Sequence, residues 1–69
     1  DMTGLLSSIL TIFAQFGANI LTINQAIPTN GCASVTISAE TSGISQGVEA
    51  LMRALSQVDG VRKVEVLAG

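Results

Sequence analysis

Between Asp1 and Glu40 this chain carries no Asp, Glu, Lys or Arg, so every charge except that of Asp1 lies in the second half. From Leu5 to Ile23 the neutral run is apolar enough to suggest a membrane span, which needs about 20 predominantly apolar residues. Its internal spacing argues otherwise. Ser8, Thr11, Gln15, Asn19 and Thr22 recur every three or four positions, so on a helix they form one stripe opposite Leu5, Leu6, Ile9, Leu10, Phe13 and Phe16. Gly17 then interrupts the pattern, and no Lys/Arg cluster flanks either end to anchor a span. The run reads as a two-faced element of a soluble domain, with no membrane partner.

A first helix is predicted from Gly4 or Leu5 to Phe16, with Asp1 or Thr3 supplying the side-chain oxygen for its first free N–H groups and Gly17 ending it. Beyond Asn19 the period becomes that of a strand: Leu21, Ile23 and Ile27 alternate with Thr22, Asn24 and Ala26, giving one buried face. Pro28-Thr29-Asn30-Gly31 is turn chemistry. A second strand follows, with Ala33, Val35, Ile37 and Ala39 on one face and Cys32, Ser34, Thr36 and Ser38 on the other, so the two form a hairpin. Ile44, Val48, Leu51, Met52, Leu55 and Val58 then fall at helical spacing, with Glu49, Arg53 and Gln57 outward. Asp59-Gly60 closes this second helix, and Val61 to Leu67 is predicted as a last strand with Val64 and Val66 facing in.

The order helix, strand, strand, helix, strand is a ferredoxin-like βαββαβ plan lacking its opening strand: an α+β fold, an antiparallel sheet with both helices on one face. The missing strand would be central. The whole chain, residues 1–69, is then a single domain lacking its N-terminal strand, and with so short a chain it is expected to need help from a partner.

Composition closes off several function classes. With no His and a single Cys32, a zinc site of imidazole and thiolate ligands and a Ser-His-Asp or Cys-His relay are excluded, as is a disulfide framework. Arg53, Arg62 and Lys63 face five acids, and only two Phe rings are present for stacking on bases, so nucleic acid is not an expected partner of this segment. Cys32 has no cationic neighbour in sequence and reads as a small packing residue. Sparse cysteine and the lack of a positively charged leader region point to the cytoplasm.

Asp1-Met2-Thr3-Gly4-Leu5-Leu6, followed at a fixed distance by Gly17-Ala18-Asn19-Ile20, resembles the ACT domain, a small regulatory module that binds amino acids. ACT domains have a D/N-x-P-G-x-L loop before the first helix and a G-x-N-I entry to the following strand; Thr3 stands where that pattern has Pro. The stretch from Gly17 to Gln25 with Ile27-Pro28 is similar to the C-terminal ACT half of small bacterial proteins named as chorismate-mutase or phenylalanine-biosynthesis proteins. In that family an N-terminal segment and the first strand precede this region.

The resemblance implies a non-catalytic module with no cofactor or metal. It implies a homodimer or higher homo-oligomer, associating through the edge strand around Leu21 and the neutral face of the first helix, and an amino-acid effector, phenylalanine being the first to try. In ligand-binding ACT domains the ligand lies between two subunits, held by the loop before the first helix of one and the start of the following strand of the other. Carried over residue by residue, this points to Asp1, Thr3, Gly4, Leu5, Asn19 and Ile20. A helix N-terminus offers unpaired N–H groups to an α-carboxylate, the Asp1 carboxylate can pair with an α-amino group, and Asn19 offers both a donor and an acceptor. Purely structural roles stand beside these: Asp1 as a helix cap, Gly4 for close packing, Asn19 for a positive φ at a helix end. Two further readings remain, a ligand-free assembly module for an upstream domain and a chorismate mutase. The second is disfavoured because Arg53 points outward and Arg62 and Lys63 lie beyond a turn.

Overall fold

The computed structural model describes residues 2–26, 31 and 33–65, the side chains of Met2 and Thr3 excepted. Its elements are α1 (Met2–Phe16), β1 (Asn19–Gln25), β2 (Val35–Glu40) and α2 (Val48–Ser56), with β1 and β2 forming a two-stranded antiparallel sheet. This is the α+β, partial ferredoxin-like arrangement expected from the element order.

Helix α1 buries Phe13 and packs Ile9, Ile12 and Phe16 beside it, while Ser7, Ser8, Thr11, Ala14 and Gln15 stay exposed. Thr11 donates its hydroxyl to the Ser7 carbonyl at 2.9 Å, a back-bond available to a Thr on the wet side of a helix. The helix starts earlier than its spacing suggests. Met2 is already helical, so Thr3 lies inside the first turn and not at the cap, which requires non-helical backbone; Asp1, the other cap candidate, lies outside the described residues. At the other end the Gly17 N–H donates to the Ala14 carbonyl at 3.1 Å and the Ala18 N–H to the Phe13 carbonyl at 3.0 Å, with Gly17 at φ 79°. That pair of bonds is a Schellman stop, and it turns the chain straight into β1.

The hairpin corrects one face assignment. Thr22 pairs with Ser38, Ile23 with Ile37, Asn24 with Thr36 and Gln25 with Val35, but the register slips between Ile20 and Thr22, so that Ile20 pairs with Ala39 and Leu21 is the extra residue of a β-bulge. Ile20, Ile37 and Ala39 therefore reach the core, whereas Leu21, expected inside, is 58% exposed. Ile23 shares the face of Ile37 but sits 38% exposed. On β2 the alternation holds: Val35, Ile37 and Ala39 are half-buried and Thr36 and Ser38 exposed. Cys32, Ile27 and the Pro28-Thr29-Asn30 part of the turn lie outside the described residues.

Helix α2 contributes Leu51 and Leu55 to the core. It is shorter than its apolar spacing: Ile44 packs on the core from the preceding loop, and Val58 from the turn after the helix donates its N–H to the Leu55 carbonyl at 3.2 Å. Gly47 caps its start at φ 89° and ψ 159°, a backbone region open essentially to glycine alone, with no side-chain hydrogen bond. Glu49 and Arg53 are exposed and form no ion pair among the described residues; the ion pair there is Lys63 with Glu65, at 3.9 Å.

The expected last strand is not formed among residues 61–65; positions 66 and 67 lie outside the described residues. Val64 packs against the core as expected, with Lys63 and Glu65 exposed. The reason is a gap beside it. An open groove of about 1180 Å³ is walled by β2 and by residues 61–65 and floored by Leu5, Ile9, Phe13, Leu51 and Leu55. Backbone directions agree. The Ala26 N–H donates to the Ser34 carbonyl at 2.8 Å, so Ser34, Thr36 and Ser38 turn their peptide groups toward β1, and Val35 and Ile37 turn theirs toward the groove. In the ferredoxin-like plan this position belongs to the strand that leads into α1, and without a neighbour residues 61–65 have no ladder to join. The core is correspondingly thin: among the described residues only Phe13, Leu51 and Leu55 count as buried.

Candidate functional site

The residues singled out from the sequence fall into two groups at opposite ends of α1. Thr3, Gly4 and Leu5 occupy its first turn; Gly4 is exposed and Leu5 is half-buried beside Gly60, where a Cβ built on the glycine would come within 3.6 Å of a Leu5 methyl. Leu5 thus has a packing role. Asp1, the intended partner of an α-amino group, lies outside the described residues.

Asn19 and Ile20 open β1. Ile20 packs on the core, and Asn19 is exposed on the outer side of the hairpin. The positive φ of the helix stop belongs to Gly17, so the turn-forming role considered for Asn19 does not apply. Its side chain instead donates from Nδ2 to Oε1 of Glu40, its cross-strand partner, at 3.1 Å. Glu40 escaped sequence reasoning because a regular hairpin register, extended from Asn24 opposite Thr36, would set Thr41 opposite Asn19. The bulge at Leu21 shifts the register by one and delivers the carboxylate.

From Gly4 to Phe16 the helix rises about 18 Å at 1.5 Å per residue, and Asn19 lies beyond that end. No amino-acid-sized ligand reaches both groups within one chain. The loop after β2 braces the Asn19 end: the Ser45 N–H donates to the Phe16 carbonyl at 3.4 Å, and a Cβ on Gly17 would stand 2.9 Å from the Gly43 carbonyl oxygen. Around the site the outer face of the hairpin, Thr22, Asn24, Ser34, Thr36 and Ser38, is exposed and uncharged. Among the described residues no cluster of His, Cys, Asp or Glu is placed to hold a metal ion, and no helix is long and apolar enough to cross a membrane.

The family model for the ACT domain matches residues 1–60 of this sequence. The chain belongs to the ACT domain family. A UPF0735 ACT domain-containing protein of Caldicellulosiruptor saccharolyticus is 51% identical over 67 residues, 97% of this chain and 45% of that protein. Another from Desulfitobacterium hafniense is 53% identical over 67 residues, again 97% of this chain and 45% of the relative. A third, from Carboxydothermus hydrogenoformans, is 52% identical over 64 residues, covering 93% of this chain and 44% of its own length. The chain spans somewhat less than half the length of these relatives. No solved structure matches it.

Proposed function

We propose that this ACT domain is a non-catalytic regulatory module that takes a small effector, an amino acid, at the seam between two copies of the chain. The observation that carries this reading is the separation of the half-sites. The α1 N-terminus and the Asn19 end lie too far apart to serve one ligand within a chain, so a ligand held by both needs a second copy to supply one of them. The uncharged outward faces of α1 and of the hairpin supply surfaces on which such a copy can sit at less desolvation cost than a charged face would impose, provided their hydroxyls and amides find partners. The effector then regulates through the difference in its affinity for two arrangements of the chains.

The relatives matched are named only as UPF0735 ACT domain-containing proteins, so phenylalanine, the first effector to try, rests on the motif from Gly17 to Gln25 alone, and the cytoplasm, where free amino acids are abundant, suits such a sensor. Catalysis has no part in this reading: Arg53 is exposed on α2, an element apart from Arg62 and Lys63, and Lys63 pairs with Glu65. Titration calorimetry of the protein with the twenty amino acids is the test. Saturable heat from one or a few of them supports a sensor, and silence from all of them removes it. Sedimentation equilibrium that finds a monomer at high concentration removes the seam itself.

One observation favours the second reading, a ligand-free assembly module: the Asn19 side chain already has a partner in Glu40. Under that reading Asn19→Ala leaves regulation of the whole protein intact.

A further inference from the structure

Within the reading proposed above, we infer that Glu40 receives the ammonium group of the effector and that Asn19 orients it, so that the β1-end half-site selects a primary amine. Three features of the structure carry this assignment. The first is hydrogen-bond polarity. With Asn19 Nδ2 donating to Glu40 Oε1 at 3.1 Å, what this pair chiefly offers to a newcomer is acceptors: the Asn19 Oδ1 atom and the second carboxylate oxygen. An ammonium group brings three donors and a positive charge, the complement of that arrangement. A carboxylate brings only acceptors and meets a like charge.

The second is charge. Glu40 is the first formal charge after Asp1, it stands at the margin of an uncharged face, and it forms no ion pair among the described residues. The chain's cations stand elsewhere: Arg53 lies on α2, Lys63 pairs with Glu65, and Arg62 adjoins Lys63 on the far wall of the groove. When a second chain covers the neutral face and water leaves, a carboxylate in this place needs a counter-charge from outside the chain. The amino group of the ligand supplies it.

The third is rigidity. Both side chains stand on paired strands, fixed opposite one another by the bulge at Leu21, and the turn beside them is braced by the close approach of Gly17 to Gly43. Among the described residues the two half-sites then have opposite character, helix N–H groups for the carboxylate at the start of α1 and a carboxylate for the ammonium at the start of β1; the pairing with the ammonium passes from Asp1, which lies outside the described residues, to Glu40. A zwitterion spans them in one direction only.

The test compares wild-type protein with Glu40→Gln by titration calorimetry against the twenty L-amino acids and against the acids lacking only the α-amino group, beginning with L-phenylalanine and 3-phenylpropanoate. The amino acid that binds the wild type is expected to bind at least about tenfold tighter than its desamino counterpart, and Glu40→Gln to erase that preference. A purely structural role for Glu40 would weaken both ligands alike and leave their ratio unchanged, which overturns the assignment. So does a desamino acid that binds the wild type as well as its parent, while the effector site itself survives. Silence from all twenty amino acids overturns the site and the role of Glu40 together.

Discussion

Two open surfaces among the described residues differ in their chemistry. The groove between β2 and residues 61–65 is apolar in its floor and carries the unpaired peptide edge of Val35 and Ile37. The outer face of the hairpin and the wet side of α1 present small neutral side chains such as Ser8, Thr11, Thr22 and Thr36. A surface with apolar side chains and free peptide groups is completed by backbone, because only another strand satisfies both. A face of short hydroxyls is completed by side chains of a second folded surface. Charge distribution follows the same division: α2, whose outer side meets water, carries Glu49 in its first turn and Arg53 in its last, whereas α1 has neither an acid in its first turn nor a base in its last.

The largest break of this contrast comes from the groove floor. Leu51 is 4% exposed, and Leu51→Ala is expected to cost about 2–5 kcal/mol, enough to unfold a domain with so thin a core. Leu21→Ser on the open side should change stability by no more than about 0.5 kcal/mol. Urea denaturation of the two variants measures the difference, and equal costs would mean that the two sides are not distinct.

Next in size is the junction where the chain passes from α1 to the hairpin. Gly17→Ala must accept φ 79° and push against the Gly43 carbonyl 2.9 Å away, while Gly47→Ala meets φ 89° with nothing within 4 Å. Both should destabilise by about 1–2 kcal/mol through backbone strain, with Gly17→Ala worse by roughly a further 1 kcal/mol for displacing that oxygen. Thermal melts of the pair separate strain from crowding.

A charge placed on the neutral face should act on association and spare the fold. Thr36→Lys is expected to weaken self-association about tenfold as read by sedimentation, whereas Gln57→Lys, beside α2, leaves it unchanged. The finest test is amide exchange within one strand. In the 69-residue chain the Val35 and Ile37 amides, facing the groove, should exchange at least about tenfold faster than those of Thr36 and Ser38, which face β1. Equal protection would show that the groove edge is already paired.

Much of this was legible in the residues because it rests on local periodicity. The polar stripe of α1, the alternation of Val35, Ile37 and Ala39, the helical spacing around Leu51 and the stop at Gly17 each depend on contacts a few residues apart, and each stands in the structure. So does the absence of charge from the wet side of α1 and from Thr22, Asn24, Ser34, Thr36 and Ser38. What sequence could not supply depends on register and on neighbours distant along the chain. A single extra residue at Leu21 turned that side chain out to solvent and set Glu40 opposite Asn19, since the strand period of two converts a one-residue slip into a change of face. Residues 61–65 have the composition of a strand, yet form none among the described residues, because a strand exists only beside another and the place next to β2 is a groove. Local pattern, set by bonded geometry, determined the helices and which of their faces are wet. The partners of each strand edge and the company that Asn19 keeps were decided by tertiary packing alone.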